Sequence, residues 1–292
     1  MVSPLFITFA PVQSSIFSII IFHYPLSAMA RFSIITINYN NASQLRRTIE
    51  SVLAQTFRDI EFIVIDGGST DNSLEVIRAF ANRIDYWVSE PDRGIYHAMN
   101  KGMKQAHGEY VNFMNAGDSF HAADVLEEID RQLGDADILF GNVCDAATGR
   151  RYGGIRAGSE VTFLTLKKEI LCHQATFYRR EVLERHPYDE SLRIIADWKV
   201  NVQAIIFDNC KVRAVETMVA NYDLTGLSTT QRQLHADERQ RVMAALFPPR
   251  VLKDYERLYT DEEMPIVTLL PELKKRGRVQ RIAYRIVKLL LR

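Results

Sequence analysis

The chain has little cysteine, and what it has is scattered: Cys144, Cys172 and Cys210 in 292 residues. An odd number at such spacing makes neither a disulfide framework nor a zinc site, so a reducing, cytoplasmic setting is the default expectation. There is no surplus of either charge, because 36 Lys+Arg balance 36 Asp+Glu. Chains that wrap nucleic acid carry a basic excess, and no nucleic-acid partner is expected here. Common catalytic fingerprints are missing as well. The lack of a Gly-x-x-x-x-Gly-Lys-Ser/Thr loop excludes a P-loop phosphotransferase. No Gly-x-Gly-x-x-Gly follows the first strand, which excludes a dinucleotide dehydrogenase. Neither His-Glu-x-x-His nor Gly-x-Ser-x-Gly occurs. What is there is ordinary for a soluble globular protein: 47% hydrophobic and 25% charged residues, 14 Gly and 9 Pro.

Charge is missing locally too. Residues 1–30 hold no Lys, Arg, Asp or Glu, yet Pro11, Gln13, His23 and Pro25 interrupt the apolar run, which suits neither a secretory signal nor a spanning helix. A start at Met29 or a weak anchor would account for it. At the other end, Lys274 to Arg292 carries eight basic residues and no acidic one. Ile282, Ile286, Leu289 and Leu290 share one helical face there, the pattern of a helix lying on an anionic membrane. The expected organisation is an apolar extension over 1–30, a catalytic domain over 31–245 and a helical tail over 246–292.

From Arg31 the pattern alternates. Phe32–Asn38 and Ile60–Asp66 read as strands, with a helix between them marked by Leu45, Ile49 and Val52. A helix at 71–82, a strand at 85–89, a helix at 96–107 and a strand at 109–114 follow. Strand–helix alternation predicts an α/β fold with a mostly parallel sheet covered on both faces. Beyond Asp118 the expected elements are helices at 122–133 and 197–207 and strands at 137–140, 175–178 and 215–222, with Pro248-Pro249 as a break.

Ligands of open α/β sheets bind beyond the carboxyl ends of the strands. Those ends read Asn38-Tyr-Asn40, Asp66-Gly-Gly-Ser-Thr-Asp71, Glu90-Pro-Asp-Arg-Gly94 and Asn115-Ala-Gly-Asp118. Each alone could be a turn or a cap; four on one edge point to a polar site. Carboxylates and amides suit the hydroxyls and base of a sugar nucleotide, and Asp118 suits Mg²⁺ or Mn²⁺ beside a diphosphate.

The segments Ile35-Thr-Ile-Asn-Tyr-Asn40, Val64-Ile-Asp-Gly-Gly-Ser-Thr-Asp71, Ser89-Glu-Pro-Asp-Arg-Gly-Ile-Tyr-His-Ala-Met-Asn-Lys-Gly102 and Asn115-Ala-Gly-Asp-Ser119 resemble family 2 glycosyltransferases, which have the GT-A fold. With His173-Gln174 and Gly226-Leu-Ser-Thr-Thr230, the chain is similar over residues 31–240 to the bacterial colanic-acid and exopolysaccharide branch. The resemblance implies transfer of a sugar with inversion from a nucleotide-sugar donor to a hydroxyl of a lipid-linked glycan, at the inner face of the plasma membrane. It places Thr36, Asn38, Asp66, Asp92 and Arg93 at the donor, with Asp66 reading the base. It also makes Asp118 the metal ligand and Asp197 the general base, and sets His173 against acceptor or phosphate. Ala116 stands where the family's metal motif has its first carboxylate. Two other readings compete: a sugar-nucleotide pyrophosphorylase, disfavoured because Asn38–Ser43 has no glycine, and a silent nucleotide-sugar or membrane-binding module.

Overall fold

The computed structural model describes residues 30–152, 155–169, 171–222 and 231–259, with Arg281 and Arg285. Most of the apolar extension and of the basic tail lies outside the described residues. Among the described residues, no helix is long and apolar enough to cross a membrane.

The first half follows the alternation read above. Strands β1 (Phe32–Asn38), β2 (Ile60–Asp66), β3 (Tyr86–Ser89) and β4 (Tyr110–Phe113) pair in parallel in the order β3-β2-β1-β4. All seven residues of β1 are buried, as a central strand covered on both faces requires. Helices α1 (Ala42–Leu53), α2 (Ser73–Phe80) and α3 (Ile95–Met103) supply the crossovers. Leu45, Ile49 and Val52 bury one stripe of α1 against Phe32, Phe62 and Val64. The opposite face of the sheet packs Ile35, Ile63 and Ile65 against Tyr96 and Met99 of α3.

The second half is mixed. After β5 (Ser119–Phe120) and α4 (Val125–Leu133) come β6 (Ile138–Asp145), β7 (Arg151–Tyr152), α5 (Phe163–Lys168), β8 (Thr176–Arg179) and α6 (Arg180–Arg185). Next are α7 (Ala196–Asn201), β9 (Val212–Tyr222), α8 (Arg232–Leu246) and α9 (Pro249–Tyr259). The sheet continues β4-β8-β6-β9-β5, with β7 beside β6. β8 is antiparallel to β4 and β6, and β5 to β9, while β6 and β9 are parallel. The helix expected over 197–207 stops at Asn201 and continues as a π-helical turn, Val202–Phe207. Wide turns of this kind accommodate an extra residue inside a helix and are frequent at functional sites. Helix α8 crosses the boundary expected at residue 245 and sends the buried Glu238 to the backbone N–H groups of Arg193 and Ile194.

Candidate functional site

The carboxyl ends of β1, β2 and β4 open into two chambers that share Asn41, Ile95, Asn115 and Ala116. The first, about 780 Å³, lies between the ends of β1 and β2 and the segment from Pro91 to Ala98. The second, about 400 Å³, runs past Asp118, His173 and Asp197 to α8. Such clefts suit ligands of small-molecule size.

Asn38 and Asp66 stand opposite each other at the ends of β1 and β2. Asp66 is fully buried, and its carboxylate accepts from Asn38 Nδ2 (2.7 Å), Ser69 Oγ (2.6 Å), Ser69 N (2.9 Å) and Ser89 Oγ (2.6 Å). Burial works against its charge, but these bonds outweigh it and hold the carboxyl below its ordinary pKa. Four donors fill the four acceptor positions of a carboxylate. In this arrangement Asp66 organises the loop that closes the ends of β1 and β2. Thr36 is fully buried, donates to the Met114 carbonyl at 2.8 Å and lines neither chamber. Arg93 is 72% exposed, pairs with Glu190 at 2.6 Å and lines neither chamber.

Asn38 and Asp92 do line the first chamber. Asn38 spends its amide N–H groups on Asp66 and Ser73, leaving a buried Oδ1 without a partner. Asp92 accepts from Gly94 N at 2.9 Å. A Cβ at position 67 would lie 2.4 Å from Asp92 Oδ2 and 3.2 Å from Tyr39 Cδ2, so glycine there makes room for both groups. Tyr39, which sequence reading passed over, is 66% exposed and lines this chamber. Its signal was local: a large ring beside Asn38 at a strand end, where burial cannot explain it.

The Asn115–Asp118 turn forms the floor between the chambers. Thr48 of α1 donates to the Asp118 carbonyl at 2.6 Å and accepts from Gly117 N at 3.2 Å. Gly117 has φ +117°, a conformation side-chain-bearing residues avoid. The Asp118 carboxylate is buried and accepts from Gln174 Nε2 at 2.9 Å. Asn115 Nδ2 lies 3.0 Å from His173 Nε2, and its buried Oδ1 has no partner. With Nε2 accepting, the His173 proton sits on Nδ1, 3.6 Å from Asp197 Oδ2. Asp197 Oδ1 accepts from Trp198 N at 2.8 Å. The structure thus brings Asp118, His173 and Asp197 into one chamber.

The hydroxyls and the thiol around Asp197 are held in their neutral forms. Burial, and after it the negative charge of Asp197, raises the Tyr96 and Tyr178 hydroxyls, and burial with its neighbours raises Tyr188. Burial together with Asp197 and Asp118 pushes the Cys172 thiol up to about 12, so it stays protonated and is no nucleophile.

Asp118 and the open Asn115 oxygen are hard donors of the type Mg²⁺ and Mn²⁺ take. Ala116 contributes only a methyl group, and among the described residues no group of three or more His, Cys, Asp or Glu could hold a metal. The residues fit a cation whose remaining ligands come from a bound diphosphate and water.

A mixed α/β sheet with a polar cleft along its carboxyl edge, a carboxylate after β4 and a second carboxylate opening α7 define a nucleotide-sugar-type GT-A architecture. The glycosyl transferase family 2 model matches residues 33–186. A PGL/p-HBAD biosynthesis glycosyltransferase of Mycobacterium tuberculosis is 34% identical over 211 residues, 70% of this chain and 81% of the relative. The chain belongs to glycosyl transferase family 2. Among solved structures it is similar to S. aureus TarS 1-349 in complex with UDP-GlcNAc (TM-score 0.57, 21% identity, 66% of this chain and 58% of that one). It is also similar to the mannosyltransferase PcManGT from Pyrobaculum calidifontis with GDP-Man and Mn2+ (TM-score 0.60, 17% identity, 91% and 82%).

Proposed function

We propose that the protein is an inverting, metal-assisted hexosyltransferase that moves a sugar from a nucleoside-diphosphate sugar to a hydroxyl of a lipid-linked glycan in surface-polysaccharide synthesis. The observation that carries the reading is the shared floor of the two chambers. A donor in the first chamber would present its diphosphate and sugar at Asn115 and Asp118, and an acceptor in the second would meet Asp197. Tyr39 offers a stacking face to the base, while Asn38 Oδ1 and Asp92 offer acceptors for its N–H groups and the ribose hydroxyls.

Asp197 takes the proton of the acceptor hydroxyl as that oxygen forms a bond to the anomeric carbon and the bond to the diphosphate oxygen breaks. Attack from the face opposite the leaving group inverts the anomeric centre. Trp198 N donates to Asp197 Oδ1 at 2.8 Å, and His173 Nδ1 stands 3.6 Å from Oδ2 in the chamber that both residues line. Asp118 and Asn115 would hold Mg²⁺ or Mn²⁺, which supplies charge stabilisation for the departing diphosphate. The complexes of TarS with UDP-GlcNAc and of PcManGT with GDP-Man and Mn2+ support a donor and a metal of these classes. The basic stretch from Lys274 to Arg292 supports peripheral attachment to an anionic membrane from the cytoplasmic side.

The test is transfer or donor hydrolysis with UDP- and GDP-hexoses in the presence of Mn²⁺, with the product anomer read by NMR. Retained configuration would overturn the inverting mechanism, and failure to consume any such donor would overturn the transferase reading. For attachment, residues 29–292 should pellet with anionic liposomes at low salt, whereas a chain ending at Glu272 should not.

A further inference from the structure

The two chambers differ in the charge they can offer. Among the described residues no lysine or arginine lines the first, whereas Lys168, Arg193 and Arg239 line the second. Two consecutive residues of α8 assemble these cations. Glu238 accepts from the backbone N–H groups of Arg193 (2.7 Å) and Ile194 (3.0 Å), which fixes the segment carrying Arg193. Arg239 donates to the Leu166 and Lys167 carbonyls at 2.6 and 2.9 Å, at the end of α5 beside Lys168. Its guanidinium lies 4.5 Å from the centre of the Trp198 ring. Trp198 Nε1 donates to the same Leu166 carbonyl at 2.7 Å, so ring, guanidinium and helix end form one rigid knot.

Among the described residues, none of the three cations forms an ion pair with a carboxylate. Arg239 is held in place and partly desolvated without a carboxylate partner, which is costly, and an anion entering the chamber, met also by the exposed Lys168 and Arg193, offsets that cost. Burial lowers the Arg239 pKa, the direction of a charge without a counter-ion. Asp118, Glu169 and Asp197 share the chamber, so a bound anion must be kept off them by being one part of a longer molecule.

We infer that the acceptor carries a phosphate or diphosphate, which Lys168, Arg193 and Arg239 bind while a sugar hydroxyl of the same molecule faces Asp197. A phosphate, with about two negative charges near neutral pH, matches several converging cations better than a single carboxylate does. The inference rests on the glycosyl-transfer reading and narrows its acceptor class.

The test is calorimetric titration of the full chain with its first chamber filled by UDP or GDP. The probes are geranyl diphosphate, glucose 1-phosphate and neutral octyl glucoside. A phosphorylated probe should bind, and the Lys168→Ala/Arg193→Ala pair should weaken it about tenfold or more, the loss expected of one charge-assisted hydrogen bond. Nucleotide affinity should be unchanged. Both side chains are exposed, so the fold should survive, and Lys168→Glu/Arg193→Glu should weaken the probe further. Preference for geranyl diphosphate places the phosphate on a lipid carrier, and preference for glucose 1-phosphate places it within the glycan. Binding of octyl glucoside as tight as that of either phosphorylated probe would overturn the inference, as would no phosphorylated probe binding. So would an equal loss of nucleotide affinity in the variants, which would assign the cations to the donor's diphosphate. If the unaltered chain bound neither UDP nor GDP, the transferase reading itself would fall and take this inference with it.

Discussion

The two ends of the same sheet are built on opposite rules. At the amino ends of β1, β2 and β4, charges close on one another. Arg31 pairs with Glu109 and with Asp130 (2.6 Å), and Arg179 pairs with Glu109 (2.8 Å) and Asp137 (3.5 Å). Both guanidiniums flank the Tyr110 ring, whose hydroxyl accepts from Arg179 and donates to the Ala136 carbonyl. Glu61 accepts from Ser33 Oγ and His107 N. At the carboxyl ends, Asn38 and Asn115 line a cleft and each keeps a buried side-chain oxygen without a partner. Unsatisfied buried oxygens cost stability and are tolerated where a ligand completes them. One end is closed by ion pairs; the other keeps unpartnered oxygens beside a cleft.

Four substitutions would break or sharpen that contrast. The largest effect is expected of Asp118→Ala, which should lower turnover by about 10²–10³-fold and remove its response to Mn²⁺. Because Gln174 Nε2 loses its buried partner, the melting temperature should fall by a few degrees while the chain stays folded at assay temperature. A metal-replete assay with near-normal turnover would remove Asp118 from the site. Asp197→Asn should cost about 10²-fold or more in turnover, with nucleotide affinity unchanged by calorimetry. If donor binding collapsed together with turnover, Asp197 would belong to the nucleotide chamber instead.

Arg179→Ala should do the reverse. It strips partners from Glu109, Asp137 and the Tyr110 hydroxyl and should destabilise by about 1–2 kcal/mol after allowance for partial exposure. Denaturant melts should show the loss, while KM and kcat of the folded fraction stay the same; a changed kcat would show that the two ends are coupled. The smallest effect is a pH slope. Burial opposes the charge of Asp189, but hydrogen bonds from Lys199 and Ser191 prevail and bring its pKa from 3.8 down to about 2. The folded value is the depressed one, so this stabilisation is present above the unfolded pKa and disappears as pH falls from about 4 to about 2. Lys199→Gln should flatten the fall of melting temperature across that window.

Much of the nucleotide half was legible because its signals are local. Apolar runs at Phe32–Asn38 and Ile60–Asp66 coincide with β1 and β2, and helical spacing of Leu45, Ile49 and Val52 marks the buried stripe of α1. Helices α5 and α6 went unread because six residues give too little periodicity. The π-helical turn after Asn201 escaped for a different reason, since an extra residue in a turn leaves no mark in a 3.6-residue repeat.

The sequence by itself determined the alternation, the edge on which polar residues collect and the motifs that place the chain in its family. These depend on neighbours within a few residues, where backbone preference and burial periodicity act. Only the tertiary structure decided how each polar group is used. Thr36, Asn38 and Asp66 sit within a strand's length of the same edge, yet Thr36 is spent on Met114 and Asp66 on Ser69, Ser89 and Asn38. The Asn38 oxygen is left open. Hydrogen-bond capacity is finite, and apart from Ser69 the partners here come from residues 23 to 78 positions away. Which donor consumes which acceptor is therefore settled by packing, after the chain has folded.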